Sequence, residues 1–226
     1  MLFTDPDTET IEQTCRTLVG AQIRTNHAVT LLTGEVLDIV SDNCNIIGDC
    51  MEDIVFPVLK TNVPTFEEGP NQKSPDFWNR DEWEWELKCF RGSANFDLGK
   101  ITGYIDKLSR ENGVNRKLFK TRYIVYEYGS CDGGAEILEV GIYSVWDLCC
   151  GYGGKKPINI GGGKGDCIRP ATKNQWVAEN LKEKRTPTKF LDRIESLINS
   201  KWYKVDPEEK ERELKSIREQ RTTLGI

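Results

Sequence analysis

A single histidine, His27, serves a chain of 226 residues, and none of the eight cysteines stands in a CxxC pair. The usual zinc spacings are therefore missing. Cys15, Cys44, Cys50, Cys89, Cys131, Cys149, Cys150 and Cys167 are expected to be reduced, mostly buried thiols that act as small hydrophobes. No apolar run approaches the roughly 20 residues needed to cross a bilayer. The opening Met1-Leu2-Phe3-Thr4-Asp5-Pro6-Asp7 has no basic stretch followed by an apolar one, so a signal peptide is not expected and a cytoplasmic location is. A Gly-rich run, Gly161 to Gly165, lacks the GxxxxGK-Ser/Thr spacing of a phosphate-binding P-loop. An excess of positive charge is absent too. The net charge of −5 does not advertise nucleic-acid binding, although steering depends on a local patch and not on the sum.

What is present fits a globular chain: 38% hydrophobic and 30% charged residues, with 20 glycines and 9 prolines close to average usage. The first 62 or so residues read as helical. Asp5-Pro6 resembles a cap followed by proline at the first helical position, with Ile11, Cys15, Leu18 and Val19 recurring at helical spacing. A second helix is expected over Leu31 to Val40 and a third from about Asp49, with Met51, Ile54, Val55, Val58 and Leu59 on its apolar face. Pro64 to Asn79 is loop-like. Trp83 to Phe90 then alternates with period two, setting Trp83, Trp85, Leu87 and Cys89 on a packed face and Glu84, Glu86 and Lys88 on a charged one. A helix is expected over Phe96 to Leu108, strands over Arg122 to Tyr128 and Pro157 to Ile160, and a strand or strand-to-helix passage over Ile137 to Val145. Thr186-Pro187 caps a later helix, and the tail past Pro207 reads as an exposed helix or a frayed end. The expected architecture is one α/β (or α+β) domain with a central mixed β-sheet flanked by helices. Its parts are a helical stretch at about 1–62, a core at about 63–200 and a charged tail at about 201–226.

Chemistry concentrates at Pro75-Asp76 and, ten residues after Asp76, Glu86-Leu87-Lys88. A β-hairpin can bring two carboxylates and a lysine together from this spacing. Converging carboxylates suit a hard cation such as Mg²⁺, and a nearby ammonium can orient water and offset charge on phosphate. The same residues also fit an unremarkable solvated sheet face. The region between 151 and 175 holds Lys155, Lys156, Lys164, Arg169 and Lys173 against one acid, Asp166. With Gly162 and Gly163 it reads either as a DNA-facing loop or as a flexible connection. Trp83, Trp85, Trp146 and Trp176 read as packed rather than base-stacking, and Tyr104 and His27 as structural.

The pattern resembles the PD-(D/E)xK nuclease superfamily, and within it the type II restriction endonucleases. Four stretches carry the resemblance: Gly69-Pro70-Asn71-Gln72-Lys73-Ser74-Pro75-Asp76-Phe77, Glu86-Leu87-Lys88-Cys89-Phe90, Asn95-Phe96-Asp97-Leu98-Gly99 with Tyr104-Ile105, and Ile168-Arg169-Pro170-Ala171. The resemblance implies a restriction-endonuclease-like fold over about residues 50 to 200. It implies Asp76 and Glu86 as Mg²⁺ ligands and Lys88 as the catalytic lysine, with Glu35, Glu52 or Glu84 as candidates for an additional acid. The implied activity is Mg²⁺-dependent, site-specific hydrolysis of double-stranded DNA, leaving 5′-phosphate and 3′-hydroxyl ends. A palindromic target would imply a C2 homodimer. A repair or nicking nuclease of the same superfamily and a non-catalytic nucleic-acid-binding module are the rival readings.

Overall fold

The computed structural model describes residues 5–24, 26–30, 36–40, 44–70, 74–80, 82–106, 110–111, 114–132, 134–161 and 166–225. The first helix, α1 (Thr8–Arg16), buries Ile11, Thr14 and Cys15 at helical spacing. Its cap is Asp7, not Asp5. Asp5 is only 1% exposed because its carboxylate is engaged elsewhere, accepting from Asn79 Nδ2 at 2.8 and 3.0 Å and from Trp85 Nε1 at 3.1 Å. Three short strands follow: β1 (Gln22–Ile23), β2 (Asn26–Thr30) and β3 (Val36–Val40). The last two pair antiparallel, with Asn26 opposite Val40. The described part of the helix expected over 31–40 is therefore a strand, as β-branched Val36, Ile39 and Val40 favour. The N-terminal stretch is mixed rather than helical.

The expected third helix is α2 (Cys44–Asn62), which buries Met51, Val55 and Leu59. Strands β4 (Phe66–Glu68), β5 (Phe77–Asn79) and β6 (Trp83–Phe90) then run as an antiparallel meander. Strand β6 begins and ends where the period-two pattern predicts. Next come β7 (Gly99–Lys100), α3 (Ile101–Ile105), β8 (Arg110–Glu111), β9 (Val114–Asn115) and α4 (Arg116–Lys120). The helix expected from Phe96 starts only at Ile101. Gly99 has φ +111°, a backbone state that glycine alone adopts readily, and the Tyr104 hydroxyl donates to the Leu98 carbonyl across that bend.

Two long strands follow, β10 (Thr121–Cys131) and β11 (Gly134–Tyr143). The chain continues through α5 (Val145–Leu148), β12 (Ile160–Gly161), β13 (Cys167–Ile168), α6 (Lys173–Trp176), a 3₁₀ turn at Glu179–Lys184, α7 (Pro187–Ile198) and α8 (Pro207–Leu224). Only the end of the strand expected over Pro157 to Ile160 forms. Thr186 caps α7, its hydroxyl accepting from Lys189 N at 3.2 Å. Asp206 caps α8 in the same way, accepting from Glu209 N at 2.8 Å. The tail is a packed helix and not a frayed end, since α8 buries Glu213, Leu214, Ile217 and Gln220.

The main sheet is six-stranded and mixed, in the order β1-β11-β10-β6-β5-β4, and the fold is α/β with this sheet flanked by helices. Its core joins Ile11 and Cys15 of α1 and Met51, Val55 and Leu59 of α2 to Trp83, Trp85 and Leu87 of β6 and Ile124, Tyr126 and Tyr128 of β10. Because β6 lies between β5 and β10, it is an interior strand and not an exposed edge. A second, three-stranded sheet has the order β12-β13-β7. The described chain forms two compact units: residues 5–92 with Tyr123–Ile142, which hold the main sheet, and Ser93–Arg122 with 143–225. Of the described cysteines Cys15, Cys149 and Cys150 are buried, as small hydrophobes would be, whereas Cys50, Cys89, Cys131 and Cys167 are only half-buried, so the thiols are less buried than expected. Among the described residues no helix is long and apolar enough to cross a membrane.

Candidate active site

The β5–β6 pairing sets Phe77 opposite Trp85 and Asn79 opposite Trp83. Continuing that register one step brings Asp76 opposite Glu86, so residues ten apart in sequence become cross-strand neighbours. Asp76 is fixed by the strand it faces: Leu87 N donates to its Oδ2 at 2.6 Å. Glu86 and Lys88 share a face of β6, two residues apart. Lys88 Nζ lies 3.0 Å from Glu86 Oε2 and 3.8 Å from Asp76 Oδ2. The Ser74 hydroxyl donates to the other oxygen, Glu86 Oε1. One ammonium thus gathers both carboxylates.

The loop that delivers Asp76 is held by Gly69, directly after β4. Gly69 N donates to Asp76 O at 2.8 Å. A Cβ at Gly69 would sit 1.8 Å from Pro75 O, so no other residue fits without backbone movement. On the other side α2 presents Asp49, Glu52, Asp53 and Phe56, and Phe56 stacks on Phe77 with ring centroids 5.9 Å apart. Together with Glu68, Gly69, Pro70, Ser74, Asp76 and Glu86 they line a cleft of about 720 Å³.

Charge in this cleft is unbalanced. Glu86 is 7% exposed although it is ionisable, so its pairing with Lys88 offsets a substantial desolvation cost. Burial alone would lower the Lys88 pKa, but Glu86 and Asp76 more than offset it and hold the ammonium charged, above its ordinary value. Lys88 is accordingly a cation and not a base. Burial, and then the neighbouring Asp76, push the Glu52 carboxyl up to about 7, with Lys88 pulling the other way. The donors are carboxylate oxygens, the ligand class of hard cations such as Mg²⁺, whereas thiols or imidazoles would suit softer metals. Among the described residues no three His, Cys, Asp or Glu side chains are grouped so as to hold a metal ion.

The residues singled out from sequence divide as follows. Asp76, Glu86, Lys88 and Glu52 come together; Glu84 sits on β6 but does not line the cleft, and Glu35 lies outside the described residues. Gly162, Gly163 and Lys164 are also outside them. Lys155, Lys156, Arg169 and Lys173 belong to the other unit. There Lys155 is exposed, and Lys156 lies 5.5 Å from the Trp202 ring centre and donates to Ile160 O at 3.4 Å. Lys173 opens α6. Arg169 is tied down, with Nε 2.9 Å from Asp97 Oδ1 and Nη1 3.1 Å from Asn95 Oδ1. Sequence reasoning missed Asp49, Asp53, Glu68 and Ser74. The first two share the 49-52-53 spacing of one helix face with Glu52, a legible signal. Glu68 and Ser74 carry none, because the fold alone brings them to the cleft.

No protein-family model matches the chain, and no curated protein sequence matches it either. Among solved structures the fold is similar to that of NlaIV restriction endonuclease, with a TM-score of 0.65 and 18% sequence identity, over 96% of this chain and 87% of that one. The chain therefore has a restriction-endonuclease-like fold.

Proposed function

We propose that the chain is a cytoplasmic type II restriction endonuclease of the PD-(D/E)xK superfamily, cutting double-stranded DNA with Mg²⁺ to give 5′-phosphate and 3′-hydroxyl ends. The observation that carries this reading is the meeting of Asp76, Glu86 and Lys88 at one point of an acidic cleft. A fold shared with a restriction endonuclease supports it. Asp76 and Glu86 would hold the Mg²⁺, with Glu52 as the additional acid. When bound, the ion supplies a Lewis acid that polarises phosphate and acidifies water.

The chain's own groups do the rest. Lys88, kept as an ammonium by its neighbours, donates hydrogen bonds toward the scissile phosphate and offsets the charge that accumulates on it. Ser74 and Leu87 N hold Glu86 and Asp76 in place, so neither carboxylate must reorganise when phosphate arrives. DNA contacts fall to Lys155, Lys156, Gly162, Gly163, Lys164, Arg169 and Lys173, and a palindromic target would be met by a homodimer. The test is incubation with phage DNA, with Mg²⁺ and with EDTA, read on a gel. Discrete Mg²⁺-dependent bands are expected. Nicks alone would favour a repair or nicking enzyme, and intact DNA under both conditions would contradict a nuclease altogether.

A further inference from the structure

Arg169 directly follows β13, in the unit formed by Ser93–Arg122 and 143–225. Its backbone is anchored there: β13 pairs with both β12 and β7, and Arg169 N donates to Asn159 O at 3.0 Å. The side chain is placed as firmly. Nε donates to Asp97 Oδ1 at 2.9 Å and Nη1 to Asn95 Oδ1 at 3.1 Å. The guanidinium lies directly against Gly161, where a Cβ would stand 2.5 Å from Cζ. An ordinary surface arginine gives up its rotamer freedom when it binds, whereas this one has given it up beforehand.

What the guanidinium still offers is narrow. Nη2 has no hydrogen-bond partner among the described residues, and the side chain is 34% exposed, so donors remain within reach of a ligand. The pair with Asp97 carries no net charge. A phosphate arriving here would meet a carboxylate that is 57% exposed beside the cation it seeks. An uncharged group with two coplanar acceptors is repelled far less and matches the flat fork of donors. In the major groove only guanine shows two such acceptors, N7 and O6. Adenine and cytosine present an amino donor, and thymine sets a methyl group beside its one acceptor.

We propose that Arg169 is a specificity-determining residue that reads a guanine through N7 and O6, with Asn95, Asp97 and Gly161 as positioning residues. The inference rests on the reading of the chain as a site-specific DNA nuclease and adds to it the identity of one base in the target.

Fragment ends produced by the wild type with Mg²⁺ locate the target. Duplexes carrying it are then made with each guanine position replaced in turn by 7-deazaguanine, which lacks N7, or by hypoxanthine, which keeps N7 and O6. Binding by the full chain is followed by fluorescence anisotropy with Ca²⁺ in place of Mg²⁺. At one position 7-deazaguanine should weaken wild-type binding about tenfold, and hypoxanthine should not. In Arg169→Ala that penalty should vanish while those at other guanines stay. Gly161→Ala, whose Cβ would displace the guanidinium, should shrink the same penalty and serves if Arg169→Ala does not fold. An arginine that only ties Asn95 and Asp97 to the end of β13 would lower Tm in these variants and leave every guanine penalty as in the wild type. That result, or a target without guanine, would overturn the inference while the nuclease reading stands. Ordinary DNA that yields no discrete fragments would overturn both.

Discussion

Gly69→Ala tests how the candidate site is held. The added Cβ would lie 1.8 Å from Pro75 O and 2.9 Å from Asp76 O, both backbone atoms that no rotamer change can move aside. Relief needs a shift of more than an ångström in the segment 67–69 or in the loop carrying Asp76. The Gly69 N to Asp76 O bond at 2.8 Å would break with it. Overpacking costs about 1–3 kcal/mol and a lost hydrogen bond about 1 kcal/mol, so the variant should be destabilised by about 2–4 kcal/mol. For a chain of this size that is a Tm drop of roughly 5–15 °C. A catalytic carboxylate displaced by about 1 Å can lose about a hundredfold in rate, so cleavage by the folded fraction should fall by a similar factor. The control is Gly48→Ala in α2, where a Cβ meets nothing within 4 Å; it should be neutral or stabilising by about 0.5–1 kcal/mol. Thermal melts and cleavage rates of the two variants decide the matter. Wild-type Tm and rate in Gly69→Ala would refute the claim that this contact positions Asp76.

Three further outcomes are expected. Glu52 has a folded-state pKa raised to about 7, so in metal-free protein it is tolerated while protonated and costs stability as pH rises through that value; Glu52→Gln should gain in Tm over wild type at pH 8 and little at pH 5, and a gain independent of pH would count against the cause assigned. Asp5→Ala removes the acceptor of Trp85 Nε1 and two of the bonds to Asn79 Nδ2 in the core, so urea unfolding should show a loss of about 2–4 kcal/mol; a loss under about 0.5 kcal/mol would mean that water replaces the carboxylate. Arg169→Ala should weaken DNA binding by about 1–3 kcal/mol if the guanidinium reads a base, whereas a lower Tm with unchanged DNA affinity would restrict Arg169 to its pairing with Asp97.

Where local pattern and tertiary environment agree, the fold was legible. The alternation of Trp83 to Phe90 defines β6 at both ends, and Thr186-Pro187 marks the start of α7, because each rests on period or capping chemistry inside one segment. The stretch 22–40 was misread because its apolar residues fit a helical period as readily as a short hairpin, and only pairing partners distinguish the two. Asp5 was misread because its carboxylate is claimed by Asn79 and Trp85, over 70 residues away. The charged residues of β6 read as a solvated sheet face, yet Glu86 is buried. That difference gives the site its electrostatics. Asp76, Glu86 and Lys88 were found because a hairpin converts their sequence spacing into proximity. Glu68 and Ser74 reach the same cleft through β4 and the loop beyond it, which no local pattern records.

The most direct test of the central claim compares Mg²⁺-dependent cleavage of phage DNA by wild type and by the Asp76→Ala, Glu86→Ala and Lys88→Ala proteins, each first shown to be folded by circular dichroism. The carboxylate variants lose an oxygen ligand, and Lys88→Ala loses the charge that stabilises the reacting phosphate. Wild type should give discrete fragments only with Mg²⁺, and each variant should cut at least about a hundredfold more slowly. DNA binding should persist and tighten for the two carboxylate variants, which each remove a negative charge from the cleft. Undiminished Mg²⁺-dependent cutting by folded Glu86→Ala and Lys88→Ala would contradict the account.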